Sequence, residues 1–222
     1  MLIVLKSFVL AFSALLPVIN PLGSALIFLG LVGTAPADLF RNLARQVAVS
    51  TVMFLIVIDL AGAFFLSFFG ISLPVVQFAG GLVLAAMGWN LLNEKDKNAR
   101  DAPSSSPGQM SDTGALDDKV FYPLTFPVTA GPGCIVVTLT LSAHASRDLL
   151  LHNVLSHLGI ALGIMAQGLA VGLSYAYAPK ITQRISPQTV HGILRVIAFV
   201  LLCIGVQIAW NGLEAMVKAM PT

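Results

Sequence analysis

Two short stretches in opposite halves of the chain combine residues that disturb a helix and lay its backbone bare. They are Pro17-Val18-Ile19-Asn20-Pro21-Leu22-Gly23 and Pro127-Val128-Thr129-Ala130-Gly131-Pro132-Gly133. Proline removes an amide donor and clashes with the preceding turn, and glycine loosens the backbone, so a helix carrying both kinks or breaks. Amides and carbonyls freed in this way can hold a solute without any catalytic side chain. Pro, Val and Gly match between the two stretches at a constant offset of 110. A second echo follows in the same order, Met87-Gly88-Trp89-Asn90-Leu91-Leu92 and Ile208-Ala209-Trp210-Asn211-Gly212-Leu213. Two matches in one order indicate an internal duplication.

Asp59 is the other residue that invites chemistry. It lies near the middle of the apolar run 47–69, which holds no other ionisable residue. A carboxylate there costs about 2.5 to 3.5 kcal/mol on insertion scales, so it must face protein rather than lipid. Asp59 is therefore a candidate to carry a proton or meet a cation; the plainer reading is a hydrogen-bonded structural carboxyl. His157 could relay protons, although a lone histidine bonded between helices is the commoner case. Gln77, Gln167 and Gln207 read as interhelical hydrogen-bond formers. Arg195 is placed to snorkel, Trp89 and Trp210 to anchor at opposite faces, and Asn90 and Asn211 to cap or cross-link helices.

The elements that must position these residues are membrane spans. Hydrophobic residues make up 57% of the chain and charged ones 10%, against roughly 25% charged in a soluble domain. Apolar runs at 2–32, 47–69, 73–92, 121–141, 149–178 and 190–217 predict six transmembrane helices, the first retained rather than cleaved. The polar stretch NEKDKNARDAPSSSPGQMSDTGALDDK cannot bury a core. It divides one transmembrane domain into a first repeat at 1–93, a cytoplasmic loop at 94–118 and a second repeat at 119–222. Three spans per half is an odd number, so the second half enters the membrane from the opposite side. The expected fold is an all-α membrane protein of six helices in two inverted three-helix repeats, with spans 1 and 4 broken at the Pro/Gly motifs. Whether each broken segment is a kinked span or a re-entrant one stays open.

Basic residues set the orientation. An outside N-terminus puts Arg41, Arg45, Lys95, Lys97, Arg100, Lys119, Lys180, Arg184 and Arg195 in the cytoplasm and only Lys6, Arg147 and Lys218 outside. Both termini are thus expected outside. The net charge of +2 reflects insertion rather than nucleic-acid binding. Cys134 and Cys203 lie in apolar runs, and Ser24 stands where a symmetric partner of Cys134 would be, so neither a disulfide framework nor a thiol relay is indicated. No HExxH, GxSxG, paired CxxC or metal-spaced Asp cluster is present. The expectation is a protein that is no enzyme and uses no cofactor or metal.

Interrupted segments at matching places in two inverted halves are the best sequence pointer to a transporter's binding site. The segments INPLGSALIFL (19–29), FPVTAGPGCIVVTLTL (126–141) and IGVQIAWNGL (204–213) resemble the MarC family of bacterial inner-membrane proteins. The resemblance covers nearly the whole chain. It implies an architecture like that of LysE-type amino-acid exporters, and small neutral amino acids such as glycine and alanine as substrates. The motif residues carried over are Asn20, Pro21 and Gly23 in the first half and Gly131, Pro132 and Gly133 in the second.

A site follows at Asn20, Pro21, Gly23, Thr129, Gly131, Pro132 and Gly133. Free amides near Gly23 and Gly133 would take a carboxylate. Carbonyls around Ile19, Asn20, Thr129 and Ala130, with the Asn20 side chain, would take an ammonium. The glycines let a small substrate come close to the backbone. Asp59 would couple protons, and one half would rock against the other. An exporter of drugs or other amphipathic solutes is the runner-up, and a membrane-embedded enzyme or a non-transporting scaffold is the reading from another class. The partners expected are a small-molecule substrate and the lipid bilayer, with a homo-oligomer left open.

Overall fold

The computed structural model describes residues 1–32, 36–93, 120–145, 150–180 and 187–219. The loop at 94–118 lies outside the described residues, as do Lys119, Arg147 and Arg184. The main helical elements of the described residues are, in order, α1 (Leu2–Ile19), α2 (Pro21–Val32), α3 (Ala37–Phe68), α4 (Leu73–Asn93), α5 (Val120–Thr129), α6 (Pro132–Ala145), α7 (Leu150–Ala176) and α8 (Pro187–Lys218). Among the described residues five helices are long and apolar enough to cross a bilayer, α1 and α2 counting as one span from Leu2 to Leu29. Counted as one span, the pair α5 and α6, bent by 70°, makes six. The protein is an all-α membrane protein, as the hydropathy predicts.

Small residues decide which helices touch, because without a hydrophobic drive between spans the contact rests on close backbone packing. Along α4, a Cβ at Gly81 would meet the backbone of Ala209 and Gly205, and one at Gly88 would stand 2.5 Å from the amide of Leu202 on α8. On α8, Gly205 meets Ala85, and Gly212 meets Phe78 and Pro74. Residue numbers rise on one helix as they fall on the other, so α4 and α8 run antiparallel. This is what inversion of the two halves demands of their third spans.

The second seam joins α1 to α7. A Cβ at Gly159 would lie 2.5 Å from the carbonyl of Val4, and one at Gly163 would lie 2.8 Å from the Ala11 Cβ. Numbers rise together here, so these helices run parallel, as spans one and five of a six-span protein must. Gln167 clamps the seam by donating from Nε2 to the Phe12 carbonyl at 2.7 Å. Helix α3 packs antiparallel to α7, with Gly168 and Gly172 against Val52 and Ala48. Each close pair therefore takes one span from each half, and the repeats are interlocked rather than side by side.

Candidate functional site

The first break is built around Asn20. Its backbone is left-handed, with φ 46° and ψ 67°, and its amide donates to the Leu16 carbonyl at 2.9 Å, which closes α1. The same residue opens α2. Its Oδ1 accepts from the Gly23 amide at 3.1 Å, and its carbonyl accepts from the Ser24 amide and hydroxyl, both at 2.9 Å. Asparagine tolerates the left-handed region and is among the best N-caps, and Pro21 fills the first helical position, where its missing donor costs nothing. One residue thus ends one helix with its backbone and starts the next with its side chain.

The amide of Gly23, expected free for a carboxylate, is consequently held by Asn20. Gly23 is glycine because the Asn20 side chain folds over it: an added Cβ would collide with Nδ2 and Cγ. Among the described residues, positive φ occurs at Asn20 and Gly70, and at no glycine of either break. The break glycines serve close approach, not unusual backbone angles.

The second break is differently made. Ala130 occupies the place of Asn20 and has no side chain that can cap. Prolines 123 and 127 interrupt α5, and Tyr122 and Phe126 are extended, so its turns are wide and irregular. The Ala130 amide reaches back five residues to the Thr125 carbonyl at 2.8 Å, and the hydroxyls of Thr125 and Thr129 donate to Val120 and Leu124 carbonyls at 2.8 and 2.6 Å. These hydroxyls and the Ala130 amide satisfy carbonyls within a segment whose regular ladder is interrupted. After Gly131, Pro132 starts α6.

Both breaks meet on Tyr175 of α7. Its hydroxyl lies 2.7 Å from Thr129 Oγ1 and also bonds the Ser24 side chain. Thr129 gives its proton to Leu124, so Tyr175 donates to Thr129, and Ser24 shares its single proton between the Asn20 carbonyl and the Tyr175 oxygen. The ring stacks on Phe28 of α2, with centroids 4.4 Å apart, and is fully buried. Gly133 completes the junction. A Cβ there would meet Leu84 of α4 and stand 3.1 Å from Val18 of the first break. Thr129, Ala130 and Cys134 are buried, so the junction is packed shut in this conformation. Pro21 is buried on the first side, and Pro132 is exposed on the second.

A separate polar centre forms where α3, α6 and α7 meet. Asp59, with its side chain 2% exposed, receives His157 Nδ1 at 3.1 Å from both carboxyl oxygens, while Ser142 donates to the Asp59 carbonyl at 2.7 Å. His157 retains 20% exposure. The two residues singled out separately in the sequence are one pair.

The family described as MarC family integral membrane protein matches residues 5–217. This chain belongs to the MarC family. Curated relatives span it end to end. A UPF0056 membrane protein of Pyrococcus horikoshii is 25% identical over 214 residues, which cover 96% of this chain and 98% of the relative. The inner membrane protein MarC of Citrobacter koseri is 26% identical over 213 residues, 96% of each chain. Its namesake in Escherichia coli O1:K1 is 28% identical over 223 residues, covering 98% of this chain and 99% of the relative. No solved structure matches.

Within this MarC-family chain, the structure brings Asn20, Pro21, Gly23, Thr129, Gly131, Pro132 and Gly133 into two breaks joined by Tyr175, and leaves Asp59 apart with His157. Tyr175 is the residue that sequence reasoning missed. Its only signal was a hydroxyl inside an apolar run. Gln77 donates toward Thr140 Oγ1 at 3.5 Å, and Gln207 bonds Asn211 on its own helix at 2.8 Å, so only the first joins two helices. Trp89 and Trp210 are exposed near opposite ends of the antiparallel α4 and α8 pair, as anchors would be.

Proposed function

We propose that this chain is a secondary transporter of small neutral amino acids, glycine and alanine among them, working by alternating access in the bacterial plasma membrane. The observation that carries the reading is the meeting of two broken segments from opposite halves on Tyr175. Irregular backbone at membrane depth is tolerated where protein buries it or where it borders a cavity, and paired breaks in inverted halves are how transporters build midplane sites. Gly133, which has no side chain between Leu84 and Val18, supports a small substrate that comes close to the backbone.

Helix pairing revises the motion. Half-against-half rocking would tear the α4–α8 and α1–α7 seams, where backbones are in contact. The moving unit is instead the α4–α8 pair, which meets the second break through Leu84. Its displacement from α1, α3 and α7 would open the junction. The Asp59–His157 pair, buried between the helices that stay, is the proton-coupling element. The asymmetry of basic residues supports an outside N-terminus.

Purified protein in liposomes, given labelled glycine or alanine with and without a pH gradient, tests the proposal. Uptake or exchange above empty vesicles is expected. Its absence for both substrates sinks the substrate class. Asp59→Asn is expected to leave exchange at equal pH and remove the response to the gradient; an intact response excludes Asp59 as the coupling residue.

A further inference from the structure

A groove of about 460 Å³ runs along the outside of the bundle between α3 and α7, away from both breaks. Its floor is made of small residues: Gly168 and Gly172 on α7 let Ala48 and Val52 of α3 come close. Its walls are large apolar side chains left open to lipid, Val49 and Met53 on one side and Leu169 and Leu173 on the other, each at least half exposed. At one end stand Arg41 and Arg45, one helical turn apart, both exposed and without an ion-pair partner among the described residues.

The dimensions point to the occupant. From Arg41 to Met53 is twelve residues of helix, about 18 Å at 1.5 Å per residue. Half of a bilayer's hydrocarbon core is about 15 Å. The groove thus reaches from headgroup level to about the middle of the membrane, the depth of a single leaflet. A soluble amino acid has no use for so long an apolar trough, whereas an acyl chain fills it. Two guanidiniums side by side at its mouth match a phosphodiester, which arginine binds through paired hydrogen bonds. Asp38 is the only acid in the first turn of α3, so the mouth is net positive.

We infer that this groove is a binding site for an anionic phospholipid, with the headgroup phosphate on Arg41 and Arg45 and one acyl chain lying between α3 and α7. Basic sites between transmembrane helices select anionic lipids by this means. The lipid would cover the α3–α7 seam on its outer side, on the two helices that also carry Asp59 and His157.

Native mass spectrometry of the detergent-purified protein, titrated with phosphatidylglycerol and with phosphatidylcholine of the same chains, tests the assignment. Phosphatidylglycerol is expected to bind about thirtyfold more tightly, from roughly one charge contact per arginine. Arg41→Gln with Arg45→Gln should abolish the preference, with phosphatidylglycerol losing far more affinity than phosphatidylcholine. Val49→Trp, which fills the trough but keeps both arginines, should weaken both lipids. Equal binding of the two lipids by the unaltered protein overturns the assignment, and so does a preference that survives loss of both arginines. A dimer that Val49→Trp disperses without any lipid preference assigns the groove to a second copy of the chain and equally overturns it.

Discussion

The break at Asn20 carries its helix onward as a single span, whereas the break at Ala130 turns the chain by 70°. Yet both stretches carry the same proline, valine and glycine 110 residues apart. The shared residues therefore do not set the bend. What differs is the position between them. Asn20 closes α1 with its backbone amide and caps α2 with its side chain, which keeps the hydrogen-bond ladder nearly continuous. Ala130 offers nothing, and the load passes to Thr125 and Thr129, which reach back along a segment widened by two prolines. One break is a stiff joint, and the other is a loose corner tied to α7 through Tyr175.

This contrast can be attacked in order of expected effect. Gly133→Leu drives a side chain into Leu84 and Val18 at the corner, and is expected to lower transport at least about a hundredfold while the protein still inserts. Unchanged flux in liposomes would remove Gly133 from the site. Asn20→Ala loses the cap and keeps the left-handed strain, at a cost of about 2 kcal/mol, whereas Asn20→Gly, free to adopt that conformation, should cost only a few tenths. Equal thermal shifts for the two variants in detergent would deny Asn20 its role as a joint. Tyr175→Phe cuts the tie between the breaks and should cost about 1 kcal/mol, with flux impaired more than folding. Gly131→Ala is expected to matter least, below about 0.5 kcal/mol, because the nearest atom to its added Cβ is the Pro127 carbonyl at 3.1 Å. A large loss there would shift the critical approach from Gly133 to the corner itself.

Hydropathy read along the chain locates the spans closely, since a membrane leaves few other ways to house such residues. It also places both breaks, because proline and glycine act locally. The Asn20 cap was partly legible, as asparagine directly before proline is a helix-start signature, but its action at the end of α1 depends on a left-handed backbone that no local pattern announces. The Asp59–His157 pair joins residues 98 apart. Their depths agree: each lies roughly two turns from the end of its helix at the same face, so depth matching could have paired them. Tyr175 meets Ser24 and Thr129 only through tertiary packing, and its position in α7 carries no mark of this.

The interlocked pairing of spans also constrains how the molecule is made. As the ribosome delivers the chain, α3 must enter the bilayer with Asp59 before His157 has been synthesised, and α1 must wait for the amide of Gln167. A nascent chain stopped after α4 would hold an unanswered carboxyl and, on α4, a glycine-lined face with nothing against it. Maturation is therefore a late, collective event, and two separately expressed halves should find each other in the membrane rather than persist alone.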